Sequence, residues 1–423
     1  MATEVFLHIG PPKTGTTYLQ AVLWNNRERL AQRGLLVPGP SPVSQFHAVV
    51  DLLGDDRTGL GADRVATAWR RLLRQVRDWE GSVIISHENL ARAGPAIVER
   101  ARADLAGARV HVVTTVRAPH AVAPAAWQER LKNRGHQTWL EFMTELAGPS
   151  PFWHQHGGDA LHYWAAGMDP TDVHVVTVPP SGTSPTLLWE RFATVLGVDP
   201  LGIDTAVGRS NTSVGVDGAA YLRRINKELD GEVDWAAYRI GVKHALAGVL
   251  STRAARIPVQ VGAADRAVLV ERARRLARGV REAGYHVVGD LEDLTVTDTP
   301  EVPDQIGNEA PDEALEQVAH DAVIGLIDVI ARLHVQRQER AADHERRLAA
   351  TRRELNEARQ ELRGVTERLE LTERRLSAPL LRLTGSRLTA RSSLFRRVRD
   401  RVRRSRKQVE PAAEPTDPPT RSS

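Results

Sequence analysis

Along residues 2–294, short apolar runs alternate with longer segments whose apolar positions recur at helical spacing. Val5–Ile9, Ser82–Ser86, Val110–Val116 and Val173–Val178 read as buried strands. Tyr18–Arg33, Arg64–Trp79, Pro95–Leu105 and Leu187–Leu196 read as helices. Such alternation predicts crossover helices and a mostly parallel sheet, an α/β fold whose ligands bind beyond the carboxyl ends of the strands. Tyr221–Arg281 reads as a helical region, and Gly284–Leu291 closes the domain, which is expected to span 1–294.

The pattern then changes. Residues 295–312 are acidic and proline-bearing with little apolar content, so they read as a linker. The stretch 313–378 is expected to form a helix and coiled coil. Glu313–Leu333 is amphipathic, and Leu348, Leu355, Leu362, Leu369 and Leu376 recur every seven residues with Arg and Glu beside them. Thr351, Ala358, Val365 and Thr372 lie three residues after the leucines and make that half of the seam weak. A homo-oligomer joined by this helix is the expected assembly. The tail, 379–423, carries Arg387, Arg391, Arg396, Arg397, Arg399, Arg401, Arg403, Arg404, Arg406 and Lys407, punctuated by Leu394, Phe395, Val398 and Val402. A basic amphipathic tail suits an anionic membrane surface or a solvated extension, and nucleic acid less well.

Composition narrows the picture. The 423 residues have a formal net charge of +4 and contain no cysteine, which excludes a disulfide framework, a thiolate nucleophile and thiolate metal ligands. No signal-peptide pattern opens the chain and no run is long enough to span a membrane, so a cytoplasmic protein, peripheral at the membrane if the tail docks, is expected.

The chemistry concentrates at the first strand. Val5–Ile9 breaks into Gly10-Pro-Pro-Lys-Thr-Gly-Thr-Thr17, a strand, a Gly/Pro turn and a helix start bearing one lysine and several hydroxyls. Backbone N–H groups and the positive helix end make such a turn an anion site. In the nucleoside-triphosphatase loop the lysine follows the second glycine directly, but here Thr16 holds that place and Lys13 lies inside the loop.

Pro-Lys-Thr-Gly-Thr-Thr resembles the 5′-phosphosulfate loop of sulfotransferases that use 3′-phosphoadenosine-5′-phosphosulfate (PAPS), and the resemblance covers about residues 2–294. It implies an α/β P-loop fold and sulfuryl transfer to a hydroxyl or amine of a carbohydrate, lipid or small molecule. It assigns Pro12, Lys13, Thr14, Gly15, Thr16 and Thr17 to the 5′-phosphosulfate, with Lys13 at the bridging oxygen.

His111–Pro119 resembles the 3′-phosphate segment of the same family. Arg117 matches, whereas Ala125 stands where a serine is usual, and a lost hydrogen bond to an anion costs about 1.5–3 kcal/mol. Trp127, Gln128 and Lys132 are candidate replacements, and Arg209-Ser-Asn-Thr-Ser213, through Arg209 and Asn211, stands where relatives complete that site.

The family's catalytic histidine or glutamate falls at Ser86-His-Glu-Asn-Leu90. Glu88 is favoured over His87, because neighbours on an extended chain point to opposite sides. His8 and His47 are weaker candidates, Trp153, His154 and His156 could line an acceptor pocket, and His162 and His174 show no metal-ligand pattern. Lysine and backbone dipoles suffice for the leaving charge, so no metal is expected. Two rivals remain, a P-loop small-molecule kinase and a non-catalytic sulfotransferase-like scaffold acting through its helix.

Overall fold

A computed structural model describes residues 2–54, 65–207, 213–296 and 310–383. Its centre is a six-stranded, all-parallel sheet in the order β2-β3-β1-β4-β5-β6. The strands are β1 (Glu4–His8), β2 (Leu35–Leu36), β3 (Ser82–Ser86), β4 (Arg109–Val116), β5 (Val173–Thr177) and β6 (His286–Val288). Leu7 pairs with Ile85 of β3 on one side and Val112 of β4 on the other, so β1 is central.

Period-two alternation explains why these strands are apolar throughout. Val5, Leu7, Ile85, Val112 and Val175 join a core with Trp69, Leu72 and Leu276 on one face. Phe6, Ile84, Val113 and Val176 point the other way, into Leu19, Val22, Trp189 and Phe192. Both faces are therefore covered by helices, as the sequence pattern predicted. The edge strands β2 and β6 are too short to show in that pattern.

Two expected helices are broken. Tyr18–Arg33 divides into α1 (Thr16–Asn25) and a short helix Arg27–Gln32, hinged at Asn26, whose side chain donates to the carbonyls of Val22 and Asp204. Tyr221–Arg281 is interrupted between α3 (Ala247–Thr252) and α4 (Ala263–Glu282) by an irregular segment containing Pro258, which has no N–H to offer a helix.

A second, all-helical core was not legible as such. It gathers Val122, Trp127 and Leu131 of α2 (Pro119–Lys132) with Trp139, Phe142, Val214, Leu222, Leu250 and Leu269. The helix α5 runs unbroken from Asp312 to Leu383. Its residues Val318 and Ala322 complete this second core and Leu315 is also buried, so the first compact unit extends to Arg332 instead of closing near Leu294, and the second begins at Leu333. Most of the proposed linker and the basic tail lie outside the described residues. Among the described residues, no helix is long and apolar enough to cross a membrane.

Candidate functional site

The chain places β2 and β3 to one side of β1, then crosses to lay down β4, β5 and β6 on the other. Connections leaving β1 and β4 therefore diverge, and a crevice opens beyond their carboxyl ends. The Gly10–Thr17 loop follows β1 and Arg117 follows β4, which brings the two strongest sequence motifs to one place.

The loop turns sharply. Lys13 and Gly15 both have left-handed backbones, with φ of 69° and 86°. At Lys13 that conformation is a strained one for a side-chain-bearing residue. A Cβ on Gly15 would also lie 2.5 Å from Leu188 Cδ2, and one on Gly10 would lie 2.3 Å from Thr115 Oγ1. Both glycines are thus required by close approach. The loop delivers Thr16 and Thr17 to the N-terminal turn of α1, where the helix dipole favours an anion.

A chamber of about 710 Å³ opens here, lined by Lys13, Gly15, Thr16, Thr17, Arg117, Ala125, Lys132 and Arg256 among others. Among the described residues, four of its lining side chains are cationic and none is acidic. The Arg117 guanidinium donates to the Lys13 carbonyl at 3.3 Å, and burial alone pulls its pKa below the ordinary value. Burial likewise lowers the Lys132 ammonium, opposed by Glu129 and reinforced by Lys13 and Lys243. Crowded, desolvated cations of this kind gain from a polyanion.

Lys13 has one close carboxylate partner, Glu129 of α2, at 3.0 Å, and Lys243 reaches the same carboxylate at 3.2 Å. Burial on its own would raise the Glu129 carboxyl, but Lys13 and Lys243 override it and hold it at about 2. Glu129 escaped the sequence reading because it occupies the same helix as Gln128 and Lys132 without any motif of its own.

Several predicted site residues have other duties. Thr14 is fully buried, with its hydroxyl donating to the Pro11 carbonyl at 2.6 Å and bonded to Thr115 at 2.7 Å, so it braces the loop from beneath. Pro12 lies in the turn and does not line the chamber. Trp127 is a core residue, donating its indole N–H to the Gln137 carbonyl, and cannot replace the missing serine hydroxyl. Gln128 borders the chamber, but its amide oxygen accepts from the Val214 N–H at 2.9 Å and its nitrogen donates to Ser213 at 2.9 Å. Of the three candidate replacements, Lys132 keeps a charged head at the chamber. Arg209 and Asn211 lie outside the described residues.

Arg256 is the lining cation that sequence reasoning missed. It stands on the irregular segment between α3 and α4, which is pinned by Asp217: that buried carboxylate accepts from the Ile257 N–H at 3.1 Å and from Arg253 at 2.6 Å. Pro258 following Arg-Ala-Ala-Arg-Ile was the available signal, since a proline there ends a helical run and exposes its basic residues.

His87 and Glu88 lie beyond the end of β3, and neither lines this chamber. Instead of diverging, their side chains converge, with His87 Nδ1 3.9 Å from Glu88 Oε2, because the backbone turns into a short helix at Glu88. Gln20 of α1 donates to Glu88 at 2.9 Å. Burial opposes ionisation of Glu88, but His87 and the Gln20 bond outweigh it and hold the carboxyl below its ordinary range. Burial lowers His87, whose Nδ1 accepts from the Asn89 N–H at 3.1 Å and whose ring stacks on Phe46. The pair is thus an ionised carboxylate beside a neutral imidazole.

Three other histidines are packed into the fold. His8 is buried between Ser86, at 2.7 Å, and Thr115, with its pKa pushed down to about 3 by burial. His156 stacks on Phe152 and burial lowers it to about 3. Trp153 is a core residue whose indole donates to the Leu146 carbonyl. His174 bonds to His111 and His286 in a row across β4, β5 and β6.

A second chamber of about 560 Å³ shares Arg117, Ala121, Pro124, Pro258 and Val259 with the first. Its walls combine apolar side chains, including Val178, Pro179, Pro180 and Val261, with the polar His120, Ser181, Gln260, Arg266 and Asp293. The two chambers are therefore neighbours across a common wall. Compared with protein-family models and with curated proteins, the sequence matches none.

Proposed function

We propose that this chain is a sulfotransferase that moves a sulfuryl group from PAPS to a hydroxyl or amine, on a P-loop type of α/β fold. The observation that carries the reading is the convergence of Lys13, Arg117, Lys132 and Arg256 on one chamber floored by the Gly10–Thr17 loop. The donor carries a 5′-phosphosulfate, a 3′-phosphate and a purine. Thr16, Thr17 and the backbone of the loop hold the 5′-phosphate, Lys13 stands at the bridging oxygen, and Arg117, Lys132 and Arg256 take the 3′-phosphate. Lys132 and Arg256 offset the absence of a hydroxyl at Ala125. The neighbouring chamber, whose proline and valine walls offer flat apolar surface beside hydrogen-bonding side chains such as Ser181 and Gln260, suits the purine.

In this mechanism Glu88 takes the proton of the acceptor as its oxygen bonds to sulfur. The bond from sulfur to the bridging oxygen breaks, and Lys13 neutralises the charge that collects there. Glu88 is the preferred base, a carboxylate held in its proton-accepting form, and the neutral imidazole of His87 beside it is the alternative. Lys13 must exchange Glu129 for the incoming anion, which couples donor binding to release of that ion pair.

The test uses the full chain with radiolabelled PAPS and a panel of sugar, lipid, phenolic and amine acceptors. The reading expects transfer of label to at least one acceptor class, lost in Lys13→Ala. Tight binding of PAPS with no transfer across the panel would leave a non-catalytic scaffold. Preference for ATP with Mg²⁺ would leave a small-molecule kinase.

A further inference from the structure

Helix α5 carries two apolar faces. One, Leu315, Val318 and Ala322, is buried, the last two in the helical core, and Gly325 lies so close to Val249 that a Cβ would come within 2.2 Å of its Cγ1. Asp321 fastens this face through Arg253 at 2.9 Å. The other face bears Val323, Ile327 and Ile330, which are 55%, 56% and 65% exposed. Exposing branched aliphatic residues in a row is costly unless something covers them.

Ile327 lies three heptads before Leu348, so a single heptad frame runs through both regions. Counted this way, Ile327, Leu348, Leu355, Leu362 and Leu369 occupy one core position, and Val323, Ile330, Thr351, Ala358 and Val365 the other. Every one of the four leucines is at least 45% exposed in the isolated chain. A frame kept across that length, including a polar middle at His334, Arg337 and His344, is the signature of a seam between helices.

We propose that this seam joins two copies of the chain as a parallel, in-register, two-stranded coiled coil. Charge pairing decides the partner and its direction. In a parallel pair the residue before each first core position faces the residue five further along on the other helix. Arg340 then meets Glu345 of the other copy and Glu354 meets Arg359, both opposite in charge, against one like pair, Arg347 with Arg352. Arg337 and His344, at core positions, argue for two strands, because a third or fourth helix would enclose these polar groups more completely and at greater cost.

The absence of cysteine from the natural sequence makes the test clean. Ile330→Cys and Val365→Cys are prepared separately in the full chain and oxidised gently, with sedimentation of the unmodified protein alongside. The proposal expects each variant to cross-link to itself and the protein to sediment as two chains. It also expects Arg347→Glu to lower the dissociation constant about fivefold by turning two like pairs into opposite ones. Cross-linking of only one variant would make the pair antiparallel, three or four chains would overturn the strand number, and a single chain would overturn the interface itself.

Discussion

Two neighbouring strand ends make opposite use of charge. Beyond β1 and β4, Lys13, Arg117, Lys132 and Arg256 line an open chamber, and Glu129 pairs with Lys13 and Lys243. Beyond β3, Glu88 and His87 are folded onto each other, onto Gln20 and onto Phe46, so that region is locally satisfied before any ligand arrives. Topology explains the contrast. The connections after β1 and β4 leave in opposite directions and open a crevice, whereas β1 and β3 lie on the same side of the crossing and their connections close over each other. The lesson is a contrast in charge: a cluster of cations lining an open chamber, beside a carboxylate held ionised and in place.

The sharpest way to break this comparison is to remove the cation at its centre. Lys13→Ala should lower sulfuryl transfer by about 10³-fold while thermal unfolding changes little, since Lys13 serves the site and not the core. A thermal scan beside an initial-rate assay checks both halves of that statement.

Disabling the other region should cost somewhat less. Glu88→Gln should reduce turnover by about 10²-fold or more, and His87→Asn by less. Because the Glu88 pKa is held below the ordinary carboxylate range, its deprotonated, active form persists as pH falls, and the acid limb of the native rate profile should lie below pH 4.5. A pH–rate profile with its acid limb above pH 4.5 would instead rule out Glu88 as the base.

Arg117→Ala tests the anion site without touching the proposed base. Loss of one charge-assisted contact should weaken binding of 3′-phosphoadenosine-5′-phosphate by about 10- to 100-fold in a calorimetric titration. The smallest effect is a gain. Ala125→Ser restores the hydroxyl usual at that place and should tighten the same ligand by up to about tenfold, provided the new side chain reaches the 3′-phosphate.

Much of this was legible in the chain, for physical reasons. The four long strands announced themselves because a parallel sheet covered on both faces needs apolar residues at nearly every position, and Gly15 and Arg117 stood where strand ends put chemistry. The two edge strands were too short to carry a pattern. The convergence of His87 and Glu88 was hidden because alternation assumes an extended backbone, and the backbone turns there. Arg256 was hidden by a helical reading that Pro258 should have interrupted, and Glu129 because an ion pair 116 residues apart in sequence leaves no local trace. The outward seam on α5 was half legible: its leucines were plain, but the link to Ile327 needed the helix to be continuous.

The most direct test of the central claim is calorimetric titration of the full chain with 3′-phosphoadenosine-5′-phosphate and, separately, with ATP and Mg²⁺, repeated on Lys13→Ala and Arg117→Ala. The account predicts micromolar binding of the first ligand, preferred over ATP and weakened in both variants. Preference for ATP, or binding that neither substitution disturbs, would contradict it.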